Sequence, residues 1–222
     1  MGSFLRGRFP LTNEQTFVQG AGRILLAPTT NAWPDGVEDI VKLTDSPVGT
    51  LYDPLTNYIE VGFTKTGINI TRNNAEEDFD VDQRQASIKR RPSNWEMSVG
   101  TQLAEAALET FALAWELPFN TDGTAKITTV SKVAPQLQER HIGLSAPRSY
   151  TERQVFVLFQ FPDNTIRVWA FRRAVRAAQE SGMTLQKTGE QVSLPMRWNC
   201  QVDTSAPEDT AFGEIFEQVP GP

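Results

Sequence analysis

The chain is poor in the residues that metal sites, disulfides and hydrolytic centres require. Its 222 residues include one cysteine, Cys200, and one histidine, His141. One cysteine excludes a disulfide within the chain, and the two residues together cannot supply the ligands of a structural zinc site. The sequence has no Gly-x-Ser-x-Gly elbow to support a hydrolase built on His141. We therefore expect no enzyme activity, no cofactor and no metal.

Long apolar runs and an excess of positive charge are also lacking. No stretch approaches the roughly 20 apolar residues that span a bilayer, and residues 1–10 lack the apolar core of a signal peptide. The formal net charge is −6, opposite to the balance of proteins that bind DNA through its phosphates. These features predict a protein of a reducing cytoplasm, without a membrane segment, that tolerates DNA only as a sliding passenger.

Two partial motifs fail on their own residues. Gly20-Ala-Gly22 begins a dinucleotide-binding fingerprint, but Leu25 stands where the third glycine belongs. The Asp-x-Asp-x-Asp run at 78–82 begins like a calcium loop, but Gln83 and Lys89 replace its glycine and its final glutamate. A solvated acidic segment is the simpler interpretation.

Most of the regular patterning has the two-residue period of a β-strand. Such alternation occurs at 59–64, 68–70, 79–82, 95–99 and 192–202, and a short strand is predicted at 23–27. Apolar runs at 155–161 and 166–171 flank Pro162 and predict a hairpin. The apolar parity switches across Gly67, which predicts a tight turn or a bulge. Residues 74–78 are predicted to form an acidic loop.

One segment has helical spacing, at about 101–117. Leu103, Ala107, Phe111 and Ala114 fall on one face, and Thr101 is a plausible N-cap. The pattern predicts a mainly β fold: an antiparallel β-sandwich or partly open barrel with one flanking helix.

The ends of the chain and one internal stretch lack this regularity. Residues 1–22 are predicted to form an N-terminal arm, and 28–58, dense in proline and glycine, a long surface excursion. The single domain would span 1–203. Residues 204–222 would form a C-terminal arm that docks through apolar anchors, namely Phe212, Ile215 and Phe216.

Four short motifs follow one another between residues 59 and 115. They are VGFTKTGINI at 61–70, DVDQ at 80–83, WEMSV at 95–99 and LAEAALE at 103–109. In order and spacing they resemble the major tail proteins, or tail-tube subunits, of long-tailed bacteriophages. In that family a GxTxxG strand, an acidic turn, an xDQ strand, a further strand and an LAExxLE helix occur in this order. The hairpin at 154–173 and the strand at 190–202 fit more loosely.

The resemblance implies a structural role without catalysis. Six copies would form a ring, each adding strands to a continuous inner barrel, and rings would stack through a long loop and the terminal arms. Double-stranded DNA would pass through the resulting tube without specific binding. The implied partners are further copies, a tape-measure protein, a tail terminator and a distal tail protein. The implied location is the virion tail, after synthesis in the host bacterial cytoplasm.

Charge assigns candidate residues to this assembly. Acidic and basic loops of neighbouring subunits or rings would be complementary; the candidates are Asn73, Asn74, Glu76, Glu77, Asp78, Lys89, Arg90 and Arg91. A second basic cluster, within 167–176, would serve the same purpose. Carboxylates that alternate with apolar residues would line the lumen and repel DNA; the candidates are Glu60, Asp80 and Asp82.

Other classes of function stay open at this point. One is another component with the same fold: a tail terminator, a distal tail protein or an injection-system tube subunit. Another is a carbohydrate-binding or adhesive β-sandwich that uses exposed aromatic residues such as Trp33, Tyr52, Tyr58 and Trp95. An enzyme with paired carboxylates is the weakest alternative, because no pair has a defining context.

Overall fold

The protein is mainly β, with antiparallel sheets and one α-helix among the residues that the structure describes. The computed structural model describes residues 22–42, 54–55, 57–62, 64–79, 89–104, 107–120, 124–131, 138–144, 150–161, 165–177 and 194–219. The fold class predicted from the alternating pattern is confirmed.

Ten strands and one α-helix occur in these ranges. The strands are β1 (Arg23–Pro28), β2 (Ile59–Glu60), β3 (Thr64–Phe79), β4 (Lys89–Leu103), β5 (Ile127–Ser131), β6 (Gln138–Ile142), β7 (Arg153–Gln160), β8 (Ile166–Arg176), β9 (Leu194–Gln201) and β10 (Gly213–Gln218); the helix is α1 (Leu108–Trp115). Eight strands form one sheet in the order β2-β1-β7-β8-β9-β4-β3, with β10 also paired to β8, while β5 and β6 pair with each other. Strand β8 therefore holds β10 along its first half and β9 along its second.

The central strands β1, β7 and β8 are buried on both faces. Along β1, Ile24 and Leu26 enter one apolar core, whereas Leu25 and Ala27 enter another. Successive side chains of a strand point to opposite faces, so one strand serves both cores. The predicted 155–161 and 166–171 hairpin is confirmed and is longer than the apolar runs.

The first core lies inside a curl of the sheet. An added Cβ on Gly22 would lie 2.8 Å from Phe159 of β7 and 2.9 Å from Ile68 of β3. These strands are far apart in the sheet order, so the sheet bends until β3 approaches β7. The predicted alternation in β9 is confirmed by the burial of its four apolar side chains, Leu194, Met196, Trp198 and Cys200.

The second core corrects the prediction of a surface excursion at 28–58. In the described part of that segment, Val37, Ile40, Val41 and Tyr58 are buried against β7 and β8. Residues 37–39 form a short 3-10 helix that supports this cover. Prolines and glycines break regular structure without removing the apolar residues between them, and these residues supply the second layer that the outer face of the sheet needs.

The helix is shorter than predicted. It begins at Leu108, because residues 101–103 belong to β4 and pair with both β3 and β9. Thr101 is therefore not an N-cap: its hydroxyl donates a hydrogen bond to the carbonyl of Gly67, at 2.8 Å. The helix ends at Glu116, which has a left-handed backbone (φ 49°).

The predicted acidic loop at 74–78 is also wrong. These residues continue β3 and pair with β4 from Asn74↔Trp95 to Asp78↔Arg90. The predicted turn or bulge at Gly67 is confirmed, since the register shifts between Thr64 and Ile68 and Gly67 has a φ of 79°.

Candidate assembly surfaces

Strands β3 and β4 are the longest in the described structure, with 16 and 15 residues. Strand β9 pairs with β4 only from Met97 to Leu103. The two-stranded ribbon, which we define as residues 73–79 and 89–96, therefore continues past β9 with no other partner strand among the described residues. At about 3.3 Å per residue its length is roughly 20 Å.

The register of the ribbon places acidic positions opposite basic ones in the same chain. Glu77 pairs with Arg91 and Asp78 with Arg90, and Glu76 lies opposite Pro92. Directly opposed residues have Cβ atoms about 5 Å apart, close enough for opposite charges to stabilise the pair. Complementarity between subunits stays a prediction, and the backbone register places these acidic and basic positions opposite one another in one chain.

The outer edge of β3 has no strand beside it within the described ranges. Among the described strands, β3 pairs only with β4 and β10 only with β8, so each has one edge without a partner strand from this part of the chain. On the described part of that edge Asn69, Arg72, Asn73 and Asn74 are exposed. Such edges are templates for pairing with another chain.

The C-terminal segment forms a strand of the main sheet. Phe212 packs on the first core and Phe216 on the second, whereas Ile215 is 53% exposed. Of the three predicted anchors, Ile215 is therefore mostly exposed. Gly213 has a φ of 147°, and an added Cβ would overlap the carbonyl of Ala170.

A polar cluster fixes β10 against the second core. Both the Trp33 indole N–H and the Arg172 guanidinium donate to Oε1 of Glu214, at 2.9 and 2.8 Å. The same guanidinium lies 4.1 Å from the centre of the Trp33 ring. These contacts give β10 a fixed position within its own chain.

The lumen candidates fall in two places. Glu60 lies on β2, where both of its carboxylate oxygens accept hydrogen bonds from Arg23, at 2.6 and 2.5 Å. This ion pair balances the negative charge that Glu60 would present to DNA. Asp80 and Asp82 lie outside the described residues.

The second basic cluster is paired inside the chain. Arg167, Arg172 and Arg173 form ion pairs with Glu217, Glu214 and Glu152, respectively. The fourth arginine, Arg176, is buried. The expected basic surface for a neighbouring subunit is therefore not present at these four positions.

Sequence reasoning missed an internal charge cluster at the end of the helix. Arg176 donates to the carbonyls of Leu113 and Pro195, at 3.3 and 3.4 Å. Burial raises the pKa of Glu116, and the nearby positive charges of Arg153 and Arg176 oppose this shift. Burial lowers the pKa of Arg153, whose guanidinium stacks 4.2 Å from the centre of the Phe119 ring. The cluster ties the helix end to β7, β8 and β9.

The residues with catalytic potential are dispersed. His141 is exposed and lies 3.5 Å from Glu139, while burial raises the pKa of the Cys200 thiol to about 12. Among the described residues, no three His, Cys, Asp or Glu side chains are grouped so as to hold a metal ion. None of the helices in the described ranges has the length and hydrophobicity needed to cross a membrane.

The aromatic residues considered for carbohydrate binding are mostly inside the protein. Trp33 packs between Phe156 and Phe216, and Tyr58 is buried against the Phe156 ring. Tyr52 lies outside the described residues. Trp95 is 40% exposed, and the Arg72 guanidinium lies 4.2 Å from the centre of its ring. Of the three described aromatic residues, Trp95 is therefore the exposed one.

A large groove lies where β8 passes from β10 to β9. The β10 groove has a volume of about 1180 Å³, and its lining includes Ile70, Trp95, Met97, Trp169, Val202 and Ile215. No sequence pattern marks it, because its walls come from strands that are distant in the chain.

Comparison with known proteins adds no relative to this description. No protein-family model matches the chain, and a search of curated proteins finds no match.

Proposed function

We propose that the chain is a structural subunit of a bacteriophage tail tube, in which copies associate side by side into rings and the rings stack around a DNA conduit. The observation that carries the proposal is the outer edge of β3, a 16-residue strand paired on one side within the described residues. A stable monomer normally shortens, charges or covers such an edge. In a ring, the next subunit would cover it.

A second unpaired edge supplies the other half of this contact. Among the described residues no strand pairs with the outer edge of β10, and pairing an edge of one copy with a different edge of the next is a head-to-tail contact. Head-to-tail contacts form rings when the rotation closes and filaments when it does not. Six copies per ring and stacking through a long loop and the terminal arms follow from the family resemblance.

The charge distribution supports passage of DNA without binding. The net charge is −6, and Arg167, Arg172 and Arg173 are neutralised by glutamates of the same chain. DNA affinity depends on arginine and lysine that are free to meet phosphates. The proposed location is the virion tail, and the proposed partners are a tape-measure protein, a tail terminator and a distal tail protein.

The test compares two double variants with the wild-type protein. Asn69→Lys with Asn73→Lys places two charges along the β3 edge, where lysine discourages strand addition. Asn199→Lys with Gln201→Lys is the matched control, because both residues are exposed on β9, which has strands on both sides. The readouts are negative-stain electron microscopy and sedimentation velocity at high protein concentration.

We expect rings or tubes of uniform width from the wild type and from the control. The β3-edge variant should remain a folded monomer with an unchanged circular dichroism spectrum. Wild-type protein that stays monomeric at high concentration would contradict the proposal, as would tubes of normal width from the β3-edge variant.

A further inference from the structure

We propose that the β5–β6 hairpin of one copy docks in the β10 groove of the next copy. The inference rests on the proposed tube function and names one of its subunit contacts. The two surfaces belong to the same chain, and each is incomplete by itself.

The size and lining of the groove suit a protein segment. Its volume of about 1180 Å³ exceeds the roughly 300–1,000 Å³ of typical small-molecule pockets. Trp95, Val202 and Ile215 line it and are 40%, 46% and 53% exposed. Apolar side chains exposed together around one concave surface mark an interaction site.

The hairpin has the complementary character. It is a two-stranded sheet of five residues per strand, and an isolated two-stranded hairpin is marginally stable in water. Leu144 follows β6 at the base of the hairpin and is 76% exposed. Insertion of this side chain into an apolar groove would bury surface that the monomer leaves in water.

No described residue of the hairpin lines the groove of its own chain. The hairpin is held at the helix by an ion pair between Arg140 and Glu109 and by the backbone bond from Lys126 to Pro118, at 2.9 Å. The helix packs near Leu103, where β4 ends, whereas Trp95 of the groove lies in the middle of β4. Eight residues of β4 separate the two, which is about 26 Å. The contact that we propose is between copies, and it is head to tail.

Charge complementarity favours the same pairing. Glu208 and Asp209 are exposed on the rim of the groove, and neither forms an ion pair with a described residue. Lys126 is exposed at the base of the hairpin. Opposite charges at the rim of an apolar contact set its orientation and speed its formation.

Disulfide crosslinking tests the contact in the full chain. Leu144→Cys and Ile215→Cys are combined in one variant, and the protein is oxidised in air with a copper catalyst under conditions in which wild-type rings form. Cys200 does not interfere, because it is buried and its thiol has a pKa of about 12. The matched control combines Leu144→Cys with Asn199→Cys, which lies on the exposed face of β9.

We expect a ladder of crosslinked species from the double-cysteine variant on a non-reducing gel. A mixture of the two single variants should stop at dimers, because each copy then carries one half of the contact. The control should stay monomeric on the gel. In a second measurement, Lys126→Glu should raise the protein concentration needed for assembly about threefold, and adding Glu208→Lys should reverse this.

The outcomes separate this inference from the tube proposal. Wild-type rings without crosslinking of the double-cysteine variant would overturn the hairpin contact and leave the tube function standing. A ladder from a protein that never forms rings or tubes would support the contact and contradict the tube. Equal crosslinking of the Asn199→Cys control would also overturn the inference, since the reaction would then not depend on the groove.

Discussion

The central strands and the two-stranded ribbon belong to one sheet but are built for different purposes. Strands β1, β7 and β8 are buried on both faces, and their buried apolar residues divide between two cores. Of the ribbon residues whose side chains the structure describes, Asn73, Asn74, Trp95 and Glu96 are all exposed. Burial on both faces makes the first region the source of stability, whereas the second has an edge that is unpaired among the described residues and that we propose to be a contact with the next subunit. Four predictions test this division of roles.

The largest effect should come from a matched pair of tryptophans. Trp198 is 2% exposed in the first core, and Trp95 is 40% exposed at the base of the ribbon. Trp198→Ala should reduce the free energy of unfolding by about 3–5 kcal/mol, and Trp95→Ala by about 1 kcal/mol or less. Urea denaturation of both variants provides the measurement. Similar losses would show that the ribbon contributes to the core.

The attachment of β10 should be the next most sensitive point. Gly213→Ala places a Cβ against the Ala170 carbonyl at a positive φ, which should cost about 1–3 kcal/mol. Gly143→Ala is the control, because its Cβ would contact nothing within 4 Å. The fluorescence of Trp33, which bonds Glu214 of β10, should shift in the first variant only. An unchanged stability in Gly213→Ala would contradict the observed backbone geometry.

A charge swap in the ribbon distinguishes pairing within a chain from pairing between chains. Glu77→Arg and Arg91→Glu change opposed positions of the register. If the charges pair within the ribbon, each single variant should lose about 0.2–1 kcal/mol of stability, and the double variant should regain it.

Mixing the two single variants tests whether the charges pair between subunits. Assembly that is restored by mixing the single variants, while the stability of each monomer is unchanged, would show that the charges pair between subunits. Thermal unfolding and sedimentation velocity measure the two effects separately.

The smallest expected effect is a pH dependence from the internal charge cluster. Burial raises the pKa of Glu116 in the folded protein, so the folded state binds a proton there more tightly than the unfolded state does. The stability from this group is present at low pH and is lost as the pH rises through the raised pKa. Glu116→Gln removes this titration.

The stability of the wild type relative to Glu116→Gln should therefore fall with rising pH. Urea denaturation of both proteins between pH 4 and pH 8 measures the difference, with about three intermediate points to define its slope. A constant difference across this range would contradict a raised pKa.

The alternating pattern predicted the buried strands well, because one face of each meets a core. In β9 the apolar and polar positions follow this rule without exception from Leu194 to Gln201. The hairpin of β7 and β8 was equally clear, since its strands are apolar on both faces. Periodicity reports burial, and each of these strands has at least one face in a core.

The ribbon and the boundary between β4 and the helix could not be predicted in the same way. Residues 74–78 are mostly polar and show no apolar alternation that would predict a strand. They form one because they pair with β4. Leu103 fits a helical face as well as a strand face, so the helix predicted from the sequence ran into β4. The second core was hidden because Val37 and Ile40 are isolated apolar residues between breakers.

The assembly surfaces were predictable only in part. Opposite charge predicted that 76–78 and 89–91 would be complementary. It did not predict that the two segments lie opposite one another in a single ribbon. The buried arginines Arg153 and Arg176 and the β10 groove arise from contacts between strands distant in sequence. Local composition carries no record of such contacts.

Amide hydrogen exchange in the dissociated and assembled protein tests the central claim most directly. We expect the amides of β3 and β10 that face the outer edges to exchange freely in the monomer and to become protected on assembly. The amides of β7, which has strands on both sides, should be protected in both states. Unchanged exchange of β3 between the two states would contradict the claim that its outer edge is the contact between subunits.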